Sequence, residues 1–238
     1  MTDAPATLAY HLTPGTGPTV LFLPGYASDM QGAKALALEA WARGCGRAFL
    51  RFDYAGCGQS AGSFEQQTLA GWRDDVVAMI DLVEGPVILV GSSMGGWLML
   101  LAALARRDRV AGMIGIAAAP DFTDWGFSTE EKMRLLGEGR IERPSPYGPA
   151  PTVYTRGFWQ SGEANRLMHG WIELTCPVRL IHGQTDPDVP WMRSLRLAEL
   201  LRSGEVQTLL VKDGDHRLSR DTDIALIIRA VEDVIACL

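Results

Sequence analysis

Short, almost unbroken apolar segments recur along the chain, and each ends in residues typical of turns. They are rich in Val, Ile, Leu and Phe, which predicts β-strands. The segments are residues 19–23, 47–52, 86–90, 110–117, 178–181 and 206–211. Because their hydrophobicity is nearly continuous rather than alternating, both faces of each strand should be covered, as in a parallel sheet. Residues 8–13 are expected to add an antiparallel strand at the edge.

Segments with apolar residues at helical spacing lie between these strands. They cover residues 32–43, 68–83, 96–106 and 222–237. Strand and helix therefore alternate along most of the chain, which predicts an α/β fold with a mostly parallel central sheet and helices on both faces. The length of 238 residues fits one domain, which we take as residues 1–238.

The region from about residue 120 to 171 departs from this alternation, with no clear strand and many Pro, Gly and aromatic residues. A structureless insertion of this length is unusual in a compact domain. We therefore interpret it as a small lid, partly helical around residues 129–136 and 163–170. Its aromatic residues indicate either a slot for an acyl or aryl group or a small core of the lid itself. The candidates for substrate contact are Trp125, Tyr154, Phe158 and Trp159, and Phe127 and Tyr147 accompany them.

Charge and composition narrow the range of partners. The net charge of −6 argues against nucleic acid, because phosphate binding needs a basic surface. No apolar segment approaches the ~18 to 20 residues needed to cross a bilayer, and the first residues do not resemble a secretory signal. The four cysteines have neither paired nor metal-like spacing, so reduced thiols in a cytosolic compartment are expected.

The stretch VGSSMGGW, residues 90–97, joins a predicted strand to a predicted helix. A nucleophile on such a turn stands above the sheet edge, and the residues two before and two after it must be small because they press together. Gly91 and Gly95 flank Ser93 in this way, whereas large apolar residues would flank Ser92. Ser93 is therefore the candidate nucleophile, and Ser92 is expected to support the turn. The pattern also arises by chance at glycine-rich helix starts, but its place between strand and helix favours catalysis.

A serine hydroxyl needs a base, and in this architecture the chain order is serine, acid, histidine. Of the four histidines, only His216 comes after the serine in a loop that follows the last predicted strand. His182 ends a strand and is expected to hydrogen-bond locally and hold a turn. For the acid, Asp186 is favoured over Asp188, because it follows its strand sooner and precedes Pro187, which stiffens the backbone.

An acyl-transfer intermediate also needs backbone N–H groups to stabilise its oxyanion. We expect one from Met94, directly after the nucleophile, and one from Tyr26, in the loop after the first core strand. This chemistry requires no metal or organic cofactor, and no His, Cys or Asp cluster in the sequence has zinc-like spacing.

Five motifs in this order resemble the α/β-hydrolase superfamily: FLPGY, RFDYAGCGQS, GSSMGG, HGQTDPDVP and KDGDHR. The longer stretches FLPGYASDMQGAKALALE and GSSMGGWLMLLAALA resemble its abhydrolase-domain-ten branch. Mitochondrial members of that branch are described as palmitoyl-protein thioesterases and as esterases of acyl glucuronides of drugs such as mycophenolic acid. The resemblance implies a triad of Ser93, Asp186 and His216. Because the chain starts without their Arg-rich transit extension, we expect a bacterial-type, cytoplasmic location.

The sequence therefore predicts a serine esterase or thioesterase that forms an acyl-enzyme. Its substrate would be a small-molecule ester or thioester, or an acylated protein. A serine at position 93 argues against dehalogenases, which carry aspartate there. A peptidase or carbon–carbon hydrolase of the same superfamily keeps the serine and remains an alternative, as does a non-catalytic ligand-binding protein on the same fold.

Overall fold

The computed structural model describes residues 7–145 and 148–238, and these ranges hold nine strands and eight α-helices. The strands are β1 (Tyr10–Thr13), β2 (Thr16–Leu23), β3 (Arg47–Phe52), β4 (Val87–Ser92), β5 (Val110–Ile116), β6 (Arg140–Arg143), β7 (Thr152–Thr155), β8 (Val178–Gly183) and β9 (Val206–Val211). The helices are α1 (Ala33–Gly44), α2 (Leu69–Leu82), α3 (Met94–Ala105), α4 (Phe122–Trp125), α5 (Thr129–Glu138), α6 (Arg156–Ala164), α7 (Met192–Leu200) and α8 (Asp221–Ala236). None of the helices in these ranges combines the length and apolar character that crossing a bilayer demands.

Seven strands form one sheet in the order β1-β3-β2-β4-β5-β8-β9. All neighbouring strands in it run parallel except β1, which pairs antiparallel with β3. The predicted sheet and the predicted antiparallel edge strand are both confirmed. The carboxyl ends of the parallel strands lie at one edge of the sheet, which is where an open α/β sheet binds its ligands.

The two faces of the sheet are covered by different helices, which explains why the strands are apolar at nearly every position. Successive side chains of a strand point to opposite faces. Leu21 and Leu89 therefore pack with α2 and α3 in one core cluster, whereas Val20 and Ile88 pack with α1 and α8 in the other. Each interior strand thus buries both of its faces, as the sequence pattern predicted.

The insertion between β5 and β8 differs from the sequence prediction in two ways. First, β6 and β7 form an antiparallel hairpin where no strand was expected. Their four-residue segments are only partly buried and lack the unbroken apolar pattern of the central strands. Second, α5 lies where a helix was predicted, but the next helix is α6, which ends at Ala164 rather than covering residues 163–170.

The start of α6 has a local cause that hydrophobic spacing does not reveal. The Thr155 side chain accepts a hydrogen bond from the backbone N–H of Phe158 at 3.2 Å. Such a cap satisfies one of the free N–H groups at a helix start and fixes where the helix begins. Tyr147, one of the aromatic residues noted in this insertion, lies outside the described residues.

Candidate active site

The backbone between β4 and α3 bends sharply at Ser93. Its φ of 56° and ψ of −119° lie in a region that residues other than glycine seldom adopt. Two groups fix this conformation: the Ser93 N–H donates to the carbonyl of Ile116 at 2.9 Å, and the Ser93 carbonyl accepts from the N–H of Gly96 at 2.9 Å. Strain of this kind persists only where surrounding contacts hold it, and it is frequent at active sites.

The two glycines around Ser93 are required by close backbone contacts. A Cβ atom added to Gly91 would lie 2.4 Å from the carbonyl oxygen of Gly95. A Cβ atom added to Gly95 would lie 2.1 Å from the carbonyl oxygen of Leu23, in β2. Both distances are far below van der Waals contact, so any side chain at either position would force the turn to open.

His216 lies in the loop between β9 and α8, and it contacts both other members of the predicted triad. Its Nε2 atom is 3.1 Å from the Oγ of Ser93, and its Nδ1 atom is 2.8 Å from the Oδ2 of Asp186. Because a buried carboxylate accepts hydrogen bonds, Nδ1 carries the proton, which leaves the Nε2 lone pair facing the serine hydroxyl. The structure thus brings Ser93, His216 and Asp186 together in one hydrogen-bonded line.

Both carboxylate oxygens of Asp186 are surrounded by hydrogen-bond donors. Its Oδ1 accepts from the backbone N–H groups of Asp188 at 2.8 Å and Val189 at 2.9 Å. Its Oδ2 accepts from His216 and lies 3.2 Å from the Nε2 of His182. Burial by itself raises the pKa of Asp186, but the hydrogen bonds from His182 and His216 outweigh it and hold that pKa well below its usual range. The carboxylate is therefore ionised at neutral pH.

The two candidate acids occupy different positions. The side chain of Asp186 is fully buried and contacts the imidazole, whereas Asp188 is exposed and gives its backbone N–H to Asp186. One oxygen of each carboxylate and one nitrogen of His216 lie within 4.8 Å of one another, which is a spacing that a cation could use. Each oxygen of Asp186 already faces two donors, however, so a cation there would have to displace them.

His182 has a closer relation to the site than the sequence indicated. The expectation was a locally bonded residue that holds a turn, and it does approach the Val189 carbonyl, at 3.0 Å. In addition it reaches Asp186, the acid that His216 contacts. The available sequence signal was its place at the end of a buried strand, four residues before Asp186, but that signal does not specify where the ring points.

The two predicted oxyanion donors flank Ser93. Met94 is the first residue of α3, and the N–H of a first helical residue has no acceptor within its own helix. Tyr26 follows β2 in a loop that passes over the turn, since a Cβ on Gly25 would lie 3.4 Å from the Cβ of Ser93. Both residues are thus close to the serine, as an oxyanion hole requires.

A cavity of about 530 Å³ opens at Ser93 and His216. Its Phe, Tyr and Trp lining residues are Phe22, Tyr26, Phe122, Trp125 and Tyr154. Two of the four predicted substrate contacts, Trp125 and Tyr154, therefore lie at the cavity.

The other two predicted contacts, Phe158 and Trp159, are not among the residues that line this cavity. Phe158 is 1% exposed and packs beneath it, with ring centroids 4.8 Å from Tyr26 and 5.6 Å from Trp72. Trp159 donates its indole N–H to the carbonyl of Thr123 at 3.1 Å and contacts the small core of the insertion. Aromatic character alone did not separate lining residues from packing residues, because both kinds bury large rings.

Among the basic residues that line the cavity, sequence reasoning missed Arg143 and Lys34. The Arg143 guanidinium lies 4.4 Å from the centre of the Phe127 ring and pairs with Glu131 at 2.8 Å. Lys34 donates to the carbonyl of Arg217, and burial, helped by the Arg217 charge, lowers the pKa of Lys34 to about 8. In the sequence both residues look like ordinary surface charges, so no pattern marks them.

Comparison with known proteins places this geometry in a family. Residues 20–230 match the model of the alpha/beta hydrolase family. Mouse mitochondrial palmitoyl-protein thioesterase ABHD10 is 43% identical over 96% of this chain and 78% of its own length. The human protein of the same name is 42% identical over 96% of this chain and 76% of its own length. The structure of mouse alpha/beta hydrolase domain-containing protein 10 superimposes with a TM-score of 0.91 at 41% identity, covering 99% of this chain and 96% of that one.

These relatives contradict the expectation of a bacterial-type, cytoplasmic location, because their names describe them as mitochondrial. That expectation depended on the character of the first residues, of which residues 1–6 lie outside the described part of the chain. A targeting segment is read by the transport machinery and need not belong to the folded domain. The fold and surface charge of a hydrolase domain therefore do not indicate the compartment in which it is located.

The other comparisons agree with the sequence. The resemblance to the abhydrolase-domain-ten branch, the α/β-hydrolase fold and the enzyme class, a hydrolase of esters or thioesters, are confirmed by the family match and the relatives. The chain belongs to the alpha/beta hydrolase family.

Proposed function

We propose that this protein is a serine hydrolase that cleaves carboxylic esters or thioesters through an acyl-enzyme intermediate on Ser93. The observation that carries this proposal is the hydrogen-bonded line from Ser93 through His216 to Asp186, with contacts of 3.1 Å and 2.8 Å. A serine hydroxyl becomes nucleophilic when a base removes its proton and an acid orients that base.

In the acylation half, the Ser93 oxygen attacks the carbonyl carbon while Nε2 of His216 takes the hydroxyl proton. The buried Asp186 carboxylate stabilises the resulting imidazolium. Negative charge that develops on the carbonyl oxygen is held by the backbone N–H groups of Tyr26 and Met94. When the tetrahedral intermediate collapses, the bond to the leaving oxygen or sulfur breaks, and the His216 proton goes to that atom.

In the deacylation half, a water molecule attacks the Ser93 ester and loses its proton to Nε2 of His216. Collapse of the second intermediate returns that proton to the Ser93 oxygen and releases the carboxylic acid. The balance is one water consumed for each ester or thioester cleaved, and the reaction uses no other co-reactant.

The substrate class follows from the cavity and from the relatives. Aromatic rings at Phe122, Trp125 and Tyr154 offer an apolar surface for an acyl chain next to Ser93. Relatives that are 42–43% identical are named palmitoyl-protein thioesterases. We therefore favour substrates with a long acyl chain, carried as a thioester on a protein or as a small-molecule ester. The insertion at residues 120–171 acts as a lid that supplies part of this apolar wall.

Steady-state hydrolysis of a substrate series tests this proposal. p-Nitrophenyl esters and matched thioesters, with acyl chains from acetyl to palmitoyl, should be cleaved with kcat/KM rising with chain length. Ser93→Ala should lower kcat by about 10⁶-fold, to near background. Absence of hydrolysis across the whole series by the wild-type protein would instead indicate a ligand-binding protein on a hydrolase fold.

Ser92→Ala provides the matched control for this experiment. It removes a hydroxyl from the neighbouring residue, which is 7% exposed, without touching the hydrogen bond to His216. Most of the wild-type activity should remain in this variant. If the two serine variants lost activity equally, the assignment of Ser93 as nucleophile would be wrong.

A further inference from the structure

The side chain of His182 is completely buried at the end of β8, and both of its ring nitrogens have polar neighbours. Nδ1 is 2.7 Å from the Oγ of Ser194, in α7. Nε2 is 3.0 Å from the carbonyl oxygen of Val189 and 3.2 Å from the Oδ2 of Asp186. A buried histidine with this set of partners is tied to the candidate active site on one side and to a packed helix on the other.

The partners of His182 fix its tautomer. A carbonyl oxygen and a carboxylate oxygen only accept hydrogen bonds, so Nε2, which faces both, must carry a proton. A hydroxyl both donates and accepts, so Ser194 can donate to an unprotonated Nδ1. In the neutral ring the proton is therefore on Nε2, and this N–H is directed at Asp186 and Val189. Ser194 strengthens that donation, because a hydrogen bond accepted at one ring nitrogen polarises the N–H at the other.

The Oδ2 atom of Asp186 consequently serves two imidazoles. It accepts from the Nδ1–H of His216 at 2.8 Å and from the Nε2–H of His182 at 3.2 Å. A carboxylate oxygen that already accepts one hydrogen bond offers less negative charge to a second donor. His182 thereby both orients the carboxylate and moderates its pull on the proton of His216.

We propose that His182 is a positioning residue of the hydrolase, which holds Asp186 in register with His216 and limits how strongly Asp186 stabilises the imidazolium form of His216. This inference rests on the proposed function, because it assigns a role relative to the Ser93–His216–Asp186 triad. It predicts a measurable change in the pH dependence of kcat/KM. Without the His182 donor, Asp186 would stabilise positive charge on His216 more strongly, and the acidic limb of the activity profile would move to higher pH.

The other charged groups near His216 do not change in this comparison. Asp188 approaches from the loop after β8, with a carboxylate oxygen within 4.8 Å of an Asp186 oxygen and a His216 nitrogen. Lys34 of α1 interacts electrostatically with Asp215 and Arg217, which flank His216 in the loop after β9, and with Asp223 of α8. Because all of them remain in the variants below, a difference between those variants reports on the residue at 182.

Two substitutions of similar size separate the proposed role from simple packing. In His182→Gln the side-chain amide nitrogen lies three bonds from Cβ, as Nε2 does, and still reaches Asp186. In His182→Asn it lies two bonds from Cβ, as Nδ1 does, and reaches Ser194 only. The measurement is the pH profile of kcat/KM on a p-nitrophenyl ester, whose acidic limb reports protonation of the free enzyme's base.

We expect the midpoint of the acidic limb to move to higher pH by about 0.5 to 1 unit in His182→Asn. In His182→Gln it should stay close to the wild-type midpoint. A purely structural role for His182 would lower kcat or stability in both variants without separating their midpoints. Equal midpoints in wild type, Gln and Asn variants would therefore overturn the inference.

Ser194→Ala keeps the inference testable if a His182 variant fails to fold. It removes one hydroxyl from α7 and weakens the Nε2–H donation without deleting the ring. The acidic limb should shift in the same direction as in His182→Asn, by a smaller amount, and an unshifted limb would overturn the inference. Failure of the proposed function looks different, because Ser93→Ala would then retain the wild-type hydrolysis rate.

Discussion

The Nε2 atom of His216 lies 3.1 Å from the Oγ of Ser93, although 123 positions separate the two residues in the chain. Ser93 reaches this point because β4 ends in a strained turn, and His216 because the loop after β9 opens at the same edge of the sheet. No local sequence feature of either residue brings the two side chains together. Their contact is a product of the parallel strand order, which gathers the carboxyl ends of strands distant in sequence.

Alanine substitutions of a glycine in the tight turn at Ser93 and of a glycine on an exposed helix should change stability in opposite directions. Gly95→Ala should lower the free energy of unfolding by more than about 3 kcal/mol and abolish hydrolysis, because its Cβ would lie 2.1 Å from the Leu23 carbonyl oxygen. Gly137→Ala, in open space on exposed α5, should raise it by about 0.5 to 1 kcal/mol. Urea titration measures both values, and equal stabilities in the two variants would refute the role of the glycine contact.

The contrast between Asp186 and Asp188 predicts which carboxylate supports His216. Asp186→Asn should lower kcat by about 10⁴-fold with the fold retained, because the amide can stabilise the wrong imidazole tautomer and carries no charge. Asp188→Asn keeps the backbone N–H that bonds Asp186 and should have a far smaller effect. Kinetics with a p-nitrophenyl ester, checked by circular dichroism, decide the matter. A larger loss in Asp188→Asn would reverse the assignment.

The side chain of Tyr26 connects the proposed oxyanion loop to the insertion. Its hydroxyl donates to the Val153 carbonyl at 2.6 Å, and its ring stacks on Tyr154 with centroids 4.8 Å apart. Tyr26→Phe should lower kcat by about tenfold, less than the ~10² to 10³ expected for outright loss of an oxyanion donor, because the backbone N–H remains. KM should change less than kcat.

Tyr10→Phe controls for the loss of a tyrosine hydroxyl in general, since Tyr10 is exposed on the edge strand. It should have wild-type kinetics. If Tyr26→Phe matched it, the hydroxyl bond to Val153 would have no part in positioning the loop.

Asp75 predicts a pH-dependent change in stability away from the site. Burial raises the pKa of Asp75 from 3.8 to about 6, against the lowering effect of a hydrogen bond from the Ala55 N–H. The folded state therefore binds this proton more tightly than the unfolded state, and the stability it contributes is lost as pH rises from about 4 to about 6. Asp75→Asn keeps an acceptor for Ala55 and should be more stable than wild type at pH 7.

The stability difference between Asp75→Asn and wild type should itself depend on pH. Urea titrations at several pH values should show this difference falling to zero below about pH 4, where the Asp75 carboxyl group is protonated in both the folded and the unfolded state. The neighbouring Asp74→Asn, at a side chain that is 65% exposed, should show a much weaker trend, because the Asp74 charge contributes less than burial to the raised pKa of Asp75. A difference for Asp75→Asn that is constant across pH would contradict the account.

Features with a local cause could be predicted from the sequence. Unbroken apolar segments predict the buried strands. The spacing of Gly91 and Gly95 predicts the turn at Ser93, because both glycines lie against backbone atoms that leave no room for a side chain. Chain order then selected His216 and the loop with Asp186 and Asp188, because a parallel sheet brings successive loops to one edge. The shorter distance from the strand and the following Pro187 favoured Asp186.

Features that depend on tertiary packing could not be predicted. The β6–β7 hairpin is four residues on each side and only partly buried, so it lacks a periodic signal. Phe158 and Trp159 are aromatic, as the residues of a binding slot often are, but both pack against other side chains of the protein. That packing depends on the position of α6. His182 reads as a structural residue at a strand end, and its contact with Asp186 becomes visible only once β8, its loop and α7 are assembled.

Active-site labelling followed by peptide mass spectrometry tests the central claim most directly. A fluorophosphonate reacts with a serine only when a base activates it, so wild-type protein should gain one adduct, on the Oγ of Ser93. Ser92→Ala should label at the wild-type rate, His216→Ala far more slowly, and Ser93→Ala not at all. An adduct on another residue, or equal labelling of Ser93→Ala and wild type, would contradict the account.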